Sequence, residues 1–172
     1  EFPKTLEIPI TRAVRRLPFL SVVLYQEKDG TYVYVLIEPT DGIIEAVRLG
    51  IEYRVPVFFV DRDTEGYPRI QESLPDSYSI THIGYQAYCA AYRNVEELLP
   101  GVETPEDQLR EATMAYHLQQ LQTRYASVLC VCGLVHHQRV WNLLDEPQAQ
   151  PFGRMKREGV QIANVHEESS RE

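Results

Sequence analysis

Ionisable side chains stand at the ends of three predicted strands. Glu38 closes a strand at 31–38, Asp61 and Asp63 follow a strand at 55–60, and Gly133 and His136 follow a strand at 127–132. In open α/β sheets, ligands bind outside the carboxyl ends of the strands. A histidine beside carboxylates can transfer protons in general acid/base catalysis, and a bound metal ion can activate water. The spacing therefore predicts a site that His136 shares with acidic side chains.

A predicted helix at 104–125 adds two groups to the same edge. It runs antiparallel to the strand that follows it, so its first turns, with Arg110 and Glu111, lie beside the end of that strand. Each member of the group also has a structural alternative. The two aspartates can cap a turn, and Arg110 and Glu111 can belong to a solvated helix turn. For His136 we favour a functional role, because the preceding glycine allows the backbone to turn over the sheet edge.

The composition is that of a globular domain. The 172 residues include 44% hydrophobic and 24% charged side chains, which excludes a disordered or fibrous chain. The formal net charge of −8 disfavours a nucleic-acid or anionic-membrane surface. No apolar run approaches the ~20 residues that span a bilayer. Three cysteines do not form a disulfide framework, so we expect a cytoplasmic protein. Cys130 and Cys132 are interpreted as buried structural thiols rather than a metal pair.

The element pattern predicts an α/β fold. A turn at Asp29-Gly30 joins strands 21–25 and 31–38 into an antiparallel hairpin. Helices are predicted at 41–54, 78–94, 104–125 and 137–144. The apolar runs 55–60 and 127–132 are typical of strands buried on both faces of a parallel sheet. We therefore predict a three-layer sandwich with a mainly parallel sheet plus the antiparallel hairpin.

Residues 1–145 are predicted to form the α/β domain and residues 146–172 an extended tail or linker. Because the chain opens without methionine and closes in a polar stretch, we expect it to be part of a longer protein. The sequence contains no GxGxxG, GxxxxGK[ST] or GxSxG motif, which argues against a dinucleotide site, a P-loop and a serine hydrolase of the α/β class.

Two stretches of the chain resemble the TraB/TIKI-like superfamily, which also includes erythromycin-esterase-like and ChaN-like proteins. Residues 109–115 read LREATMA near the start of a helix, and residues 128–136 read VLCVCGLVH, a strand followed by Gly-x-x-His. Glu38 before helix 41–54, and residues 60–63 (VDRD), also lie where the family places them. The resemblance spans roughly residues 20–145 and is greatest for a large bacterial branch of the superfamily.

The resemblance implies a catalytic edge of paired Gly-x-x-His motifs with acidic partners. Some members are described as metal-dependent peptidases, some as esterases and some as haem-binding proteins. Gly133 and His136 match the second motif, whereas the first has no counterpart in this chain. The implied role of His136 is metal ligand or general base, and that of Glu38 or Glu111 is ligand or general acid/base. Arg110 would orient a carboxylate or stabilise developing negative charge. The implied binding residues are Asp61, Asp63 and Gly133.

The sequence thus predicts a hydrolase domain of TraB/TIKI-like type that uses acid/base or metal-assisted hydrolysis. The cofactor stays open, with a divalent metal as the candidate and His136 as its first ligand. The expected partners are a small-molecule or peptide substrate and the rest of a longer parent chain, and neither nucleic acid nor a membrane. The alternative is a non-catalytic binding or interaction domain of a larger protein that uses the same crevice.

Overall fold

Six α-helices and three β-strands occur in the computed structural model, which describes residues 1–65, 76–98, 104–153, 157–166 and 168. The helices are α1 (Glu7–Val14), α2 (Gly42–Glu52), α3 (Ile80–Ile83), α4 (Tyr85–Leu98), α5 (Pro105–Gln122) and α6 (Leu134–Leu143). The strands are β1 (Ser21–Gln26), β2 (Tyr32–Ile37) and β3 (Gln161–Asn164). Short 3-10 turns at Lys4–Leu6 and Ser77–Ser79 precede α1 and α3. The helices predicted at 41–54 and 104–125 are confirmed to within a few residues.

The three strands form one antiparallel sheet. β1 pairs with β2 from Ser21↔Ile37 to Gln26↔Tyr32, which confirms the predicted hairpin. Its turn contains Gly30 at φ 89°, a backbone conformation that glycine adopts without steric cost. β3, from the predicted tail, pairs antiparallel with the other side of β1, so the strand order is β2-β1-β3.

The prediction of a mainly parallel sheet in a three-layer sandwich is wrong. In the described part of the chain, the segments 55–60 and 127–132 are extended but belong to no sheet. The one parallel pairing recorded there is an isolated bridge between Pro3 and Asp61. The physical reason is that a continuous apolar run indicates only that both faces of the segment contact apolar surfaces. It does not indicate whether a neighbouring strand forms hydrogen bonds with the segment.

Two hydrophobic cores lie on opposite sides of residues 57–60. The first core joins α1, α2 and one face of the sheet, and it includes Ile10, Ile44 and Phe59. The second joins α5 and α6, and it includes Val60 and Met114. Consecutive side chains of an extended segment point to opposite sides, so Phe59 and Val60 contribute to different cores.

Glycine allows α2 to lie directly against this segment. A Cβ at Gly50 would stand 2.2 Å from Cγ2 of Val57, so any other residue at position 50 would force the Val57 side chain or the helix to shift. Along the described ranges, no helix has the length and hydropathy needed to cross a membrane.

Candidate functional site

Helix α5 begins at a capping box that fixes its first turn. The Thr104 hydroxyl accepts a hydrogen bond from the Asp107 N–H (3.1 Å), and the Asp107 carboxylate accepts one from the Thr104 N–H (3.2 Å). Pro105 occupies the first turn as well, where its missing N–H costs nothing. Reciprocal capping satisfies two amides that the helix leaves unpaired. The next turn carries Arg110 and Glu111, and both are buried.

Helix α6 supplies the histidine. Gly133 is its N-cap residue, and the His136 N–H donates to the Gly133 carbonyl at 3.0 Å in the first turn. α5 and α6 pack against each other around the second core. This packing brings His136 beside Glu111, and the Gly-x-x-His spacing sets the histidine one turn inside the helix.

His136 and Glu111 form a buried pair. Nδ1 of His136 lies 2.7 Å from Oε1 of Glu111, and the two residues are only 3% and 1% exposed. Nη1 of Arg139 donates to the same carboxylate oxygen at 3.2 Å. Because a carboxylate accepts hydrogen bonds, Nδ1 of His136 donates to Glu111 in this pairing. A carboxylate that orients the imidazole through Nδ1 leaves Nε2 as the ring nitrogen that can exchange a proton with water or a substrate.

Arg110 is held by a bidentate ion pair with Asp61. Nε of Arg110 donates to Oδ1 of Asp61 at 3.2 Å, and Nη2 donates to Oδ2 at 2.7 Å. Burial opposes the charge of Arg110, but its hydrogen bonds with Asp61 and the charges of Asp61, Glu1 and Asp107 outweigh burial and raise the pKa of the guanidinium. Arg110 is therefore a fixed cation in the site.

Glu1 completes the cluster. Its carboxylate accepts hydrogen bonds from Nη2 of Arg110 at 2.8 Å and from the Gly133 N–H at 2.5 Å. Oε1 of Glu1 also lies 3.4 Å from Nε2 of His136. The Glu1 carboxylate thus lies against the Arg110 guanidinium, the Gly133 N–H at the start of α6 and the Nε2 side of the His136 ring.

The backbone around Glu1 explains this position. The α-amino nitrogen of Glu1 donates to the Val131 carbonyl at 2.8 Å, and the Asp61 N–H donates to the Phe2 carbonyl at 3.1 Å. Residues 1–3 therefore lie between the ends of segments 55–60 and 127–132. Glu1 could not be predicted as a site residue, because residues 1–3 carry no periodicity and a lone glutamate has no signature of its own.

Of the residues predicted for the site, the structure gathers Asp61, Arg110, Glu111, Gly133 and His136. Asp63 lies apart from them, where it accepts hydrogen bonds from the Thr5 hydroxyl and from Nε of Arg157 (3.3 Å for the latter). Glu38 follows the end of β2, and within the described ranges its carboxylate makes no hydrogen bond or ion pair with any group of the cluster. Neither residue contacts His136.

A metal ion does not fit this arrangement. Across the residues that the structure describes, no three or more His, Cys, Asp or Glu side chains are grouped so that they could hold one. The ring nitrogens of His136 face Glu111 and Glu1, and both carboxylates are already paired with arginines. The chemistry available to these side chains is proton transfer and stabilisation of negative charge.

The two thiols of segment 127–132 lie beside the site and are half-buried. A hydrogen bond from Cys132, opposed by burial, lowers the pKa of Cys130 to about 7. The same contact, together with burial, raises the pKa of Cys132. Cys130 packs against the second core.

No family model, curated protein or solved structure matches this chain.

Proposed function

We propose that this chain is a hydrolase domain of TraB/TIKI-like type that cleaves an ester or amide bond by general acid/base catalysis. The observation that carries the proposal is the buried His136–Glu111 pair, with Nδ1 and Oε1 2.7 Å apart and Nε2 directed at a carboxylate. A histidine oriented by a carboxylate and aimed at an anion site is the arrangement of a general base beside an oxyanion site.

The Glu1 carboxylate suggests how a substrate would be held. Its Oε1 lies near Nε2 of His136, and its Oε2 accepts from the Gly133 N–H. When this carboxylate moves aside, a water molecule in the place of Oε1 would face Nε2 of His136. A substrate carbonyl oxygen in the place of Oε2 would face the Gly133 N–H. Arg110, held in place by Asp61, adds a positive charge next to both positions.

The reaction then needs only these groups. His136 Nε2 takes a proton from water as the oxygen attacks the carbonyl carbon, and Glu111 stabilises the imidazolium that forms. Gly133 N–H and Arg110 stabilise the negative charge on the former carbonyl oxygen. As the tetrahedral intermediate collapses, His136 returns the proton to the departing alcohol or amine.

The test compares two neighbouring histidines. His136→Asn should lower the rate of hydrolysis of p-nitrophenyl esters or peptide amides by about 10²–10⁴-fold, the usual contribution of a general base. His137→Asn is the matched control, because His137 is the exposed neighbour of His136, and its rate should not change. Circular dichroism of both variants checks that the fold is retained. Equal hydrolysis rates for the two variants would show that His136 takes no part in catalysis.

The alternative function is a non-catalytic binding domain. It is favoured by the Glu1 carboxylate, which already accepts hydrogen bonds from Arg110 and the Gly133 N–H, the groups that would bind a substrate. It would be supported if the folded wild-type chain hydrolyses none of these substrates. We also propose a cytoplasmic location, which the free state of Cys89, Cys130 and Cys132 supports.

A further inference from the structure

The three cysteines of the chain lie near one another around segment 127–132. Cys130 and Cys132 belong to this segment, and Cys89 lies on α4, where it forms a hydrogen bond with Tyr85. The charge of Cys132 acts on Tyr85 as well, so the segment passes close to this part of α4. All three thiols are free and half-buried. None of them takes part in the proposed hydrolysis, so a function of these thiols is independent of it.

Cys130 and Cys132 point to the same side of an extended segment. Only Val131 separates them in the sequence, and side chains two positions apart in an extended chain share a side. At ~3.3 Å per residue their Cα atoms lie roughly 6.6 Å apart, within the range of about 4.4–6.8 Å that disulfide bonds span. The two thiols also form a hydrogen bond with each other. Their sulfur atoms are therefore within reach of each other.

The backbone of this segment is not part of a sheet. In the described part of the chain, residues 127–132 pair with no strand, so a change in their backbone angles breaks no ladder of hydrogen bonds. A disulfide needs its two Cβ atoms about 3.5–4.5 Å apart, and an unpaired segment can contract to bring them together. The same contraction in the middle of a sheet would break hydrogen bonds to both neighbouring strands. The setting of Cys130 and Cys132 thus allows a bond between them.

The two thiols differ in their readiness to react. The hydrogen bond between them lowers the pKa of Cys130 to about 7, although burial opposes this, and it raises the pKa of Cys132. The thiolate is the reactive form of cysteine, and a thiol whose pKa lies near the pH of its surroundings attacks disulfides most effectively. Cys130 is therefore suited to attack first, and Cys132 to act second.

We propose that Cys130 and Cys132 form a reversible dithiol–disulfide site that reacts with low-molecular-weight disulfides such as glutathione disulfide. The Cys130 thiolate attacks one sulfur of the small disulfide, which forms a mixed disulfide and releases one small thiolate. The Cys132 thiol gives its proton to that thiolate and attacks the sulfur of Cys130. The Cys130–Cys132 bond forms and the second small thiolate leaves. The two cysteines are thus oxidised, and the small disulfide is reduced to two thiols.

The short spacing makes the bond between these cysteines reversible. A disulfide whose geometry departs from the preferred one is strained and is more easily reduced. Strained disulfides are the labile ones among protein disulfides, whereas structural disulfides resist reduction by small thiols. A bridge across the single residue Val131 belongs to the first kind, so an excess of small thiols returns the pair to its reduced form.

The first experiment measures whether the bond forms. Reduced protein is incubated with excess glutathione disulfide, alkylated with iodoacetamide, digested with trypsin and analysed by mass spectrometry. Cys130 and Cys132 lie in one tryptic peptide, residues 125–139. We expect this peptide to lose the mass of two hydrogen atoms and to take up no alkylating agent, and dithiothreitol should restore both alkylation sites. A peptide alkylated on both cysteines, or one that carries glutathione without the internal bond, contradicts the proposal.

Three cysteine variants assign the two roles. Cys132→Ser should stop at the mixed disulfide on Cys130, and Cys130→Ser should take up glutathione in this peptide at least tenfold more slowly. Cys89→Ser is the matched control and should form the Cys130–Cys132 bond at the wild-type rate. Circular dichroism checks that each variant folds. A Cys132→Ser variant that takes up no glutathione, or a Cys89→Ser variant that forms no bond, would overturn the proposal.

The wild-type protein gives a readout that needs no variant, because Cys89 serves as an internal reference. In the folded protein at neutral pH, the thiols of the Cys130–Cys132 pair should be consumed by glutathione disulfide at least fivefold faster than Cys89. In concentrated urea this difference should shrink to less than twofold, since the unfolded chain no longer holds the two thiols together. Equal reactivity of Cys89 and the pair in the folded protein would show that the fold does not direct the reaction and would contradict the proposal.

Discussion

Around Arg110, one buried cation balances three carboxylates, those of Asp61, Glu1 and Asp107. It pairs with Asp61 at 2.7 Å and with Glu1 at 2.8 Å, and its side chain is 8% exposed. A buried ion pair adds little net stability when intact, but removing one partner leaves the other uncompensated. Removing the charge of Arg110 is therefore expected to destabilise the fold as well as to change the site.

Arg110→Gln should lower the free energy of unfolding by about 3–5 kcal/mol, because the buried Asp61 carboxylate and the partly buried Glu1 carboxylate lose their cation. Urea denaturation followed by circular dichroism measures the loss. The double variant Arg110→Gln with Asp61→Asn should recover part of it, since one of the orphaned charges is removed. Strict additivity of the two single variants would mean that the pair is not coupled.

The residues of the site differ in how far they could be predicted. Arg110, Glu111 and His136 were predicted to share the edge of a parallel sheet; they do lie together, but it is the packing of α5 against α6 that brings them there. Glu1 and the separation of Asp63 could not be predicted, since both depend on long-range contacts. Asp63 is drawn toward Arg157, which lies 94 positions further along the chain.

Among the elements, α5 contributes most to the site and begins at its capping box. Asp107 is subject to burial, which raises its pKa, but its hydrogen bonds with Thr104 and the positive charge of Arg110 outweigh burial, so its pKa is lowered. A carboxyl group whose pKa is lower in the folded state stabilises the protein above its unfolded pKa. That contribution is lost as the pH falls through the folded value.

Asp107→Asn should therefore cost about 1 kcal/mol at pH 7, a typical value for a helix cap. The difference from wild type should shrink as the pH falls below about 4, the pKa of an unfolded aspartate. Thermal unfolding at several pH values measures both effects. Glu106→Gln is the control, because Glu106 lies in the same turn but outside the capping box, and it should cost less. If both variants lose the same free energy of unfolding at every pH, the effect of Asp107 comes from its negative charge near the helix start and not from the capping box.

Helices and the hairpin could be predicted because capping residues, turn residues and side-chain periodicity are local signals. The parallel sheet was wrongly predicted because segments 55–60 and 127–132 have the composition of central strands without the hydrogen-bonded neighbours. Whether a segment has hydrogen-bonded neighbours depends on its contacts with other parts of the fold. The composition of the segment alone does not indicate it.

In the molecule as a whole, residues 1–3 join parts that are distant in sequence. Phe2 packs against the first core and lies 5.5 Å from the ring of Phe59, centre to centre, while Glu1 contacts α5 and α6. The two cores therefore share a connection besides segment 57–60.

Phe2→Ala should destabilise the chain by about 2 kcal/mol, below the roughly 3–5 kcal/mol of a fully buried aromatic, because Phe2 is only half-buried. Two probes follow unfolding: far-ultraviolet circular dichroism for the whole chain, and the fluorescence of Trp141 on α6. We expect both transitions to shift together. Phe152→Ala, at a side chain that is 93% exposed, should shift neither. A shift in dichroism with an unchanged Trp141 transition would show that the cores unfold independently.

The placement of Phe59 and Val60 in different cores makes segment 57–60 more sensitive to a change of length than to a change of residue. Replacing one apolar side chain by another of similar volume disturbs a single core and typically costs less than 1.5 kcal/mol. Deleting one residue just upstream turns every following side chain of the segment to the opposite face, unless the chain rearranges. Natural variants of this protein should accordingly differ in residue type along 57–60 while keeping its number of residues constant.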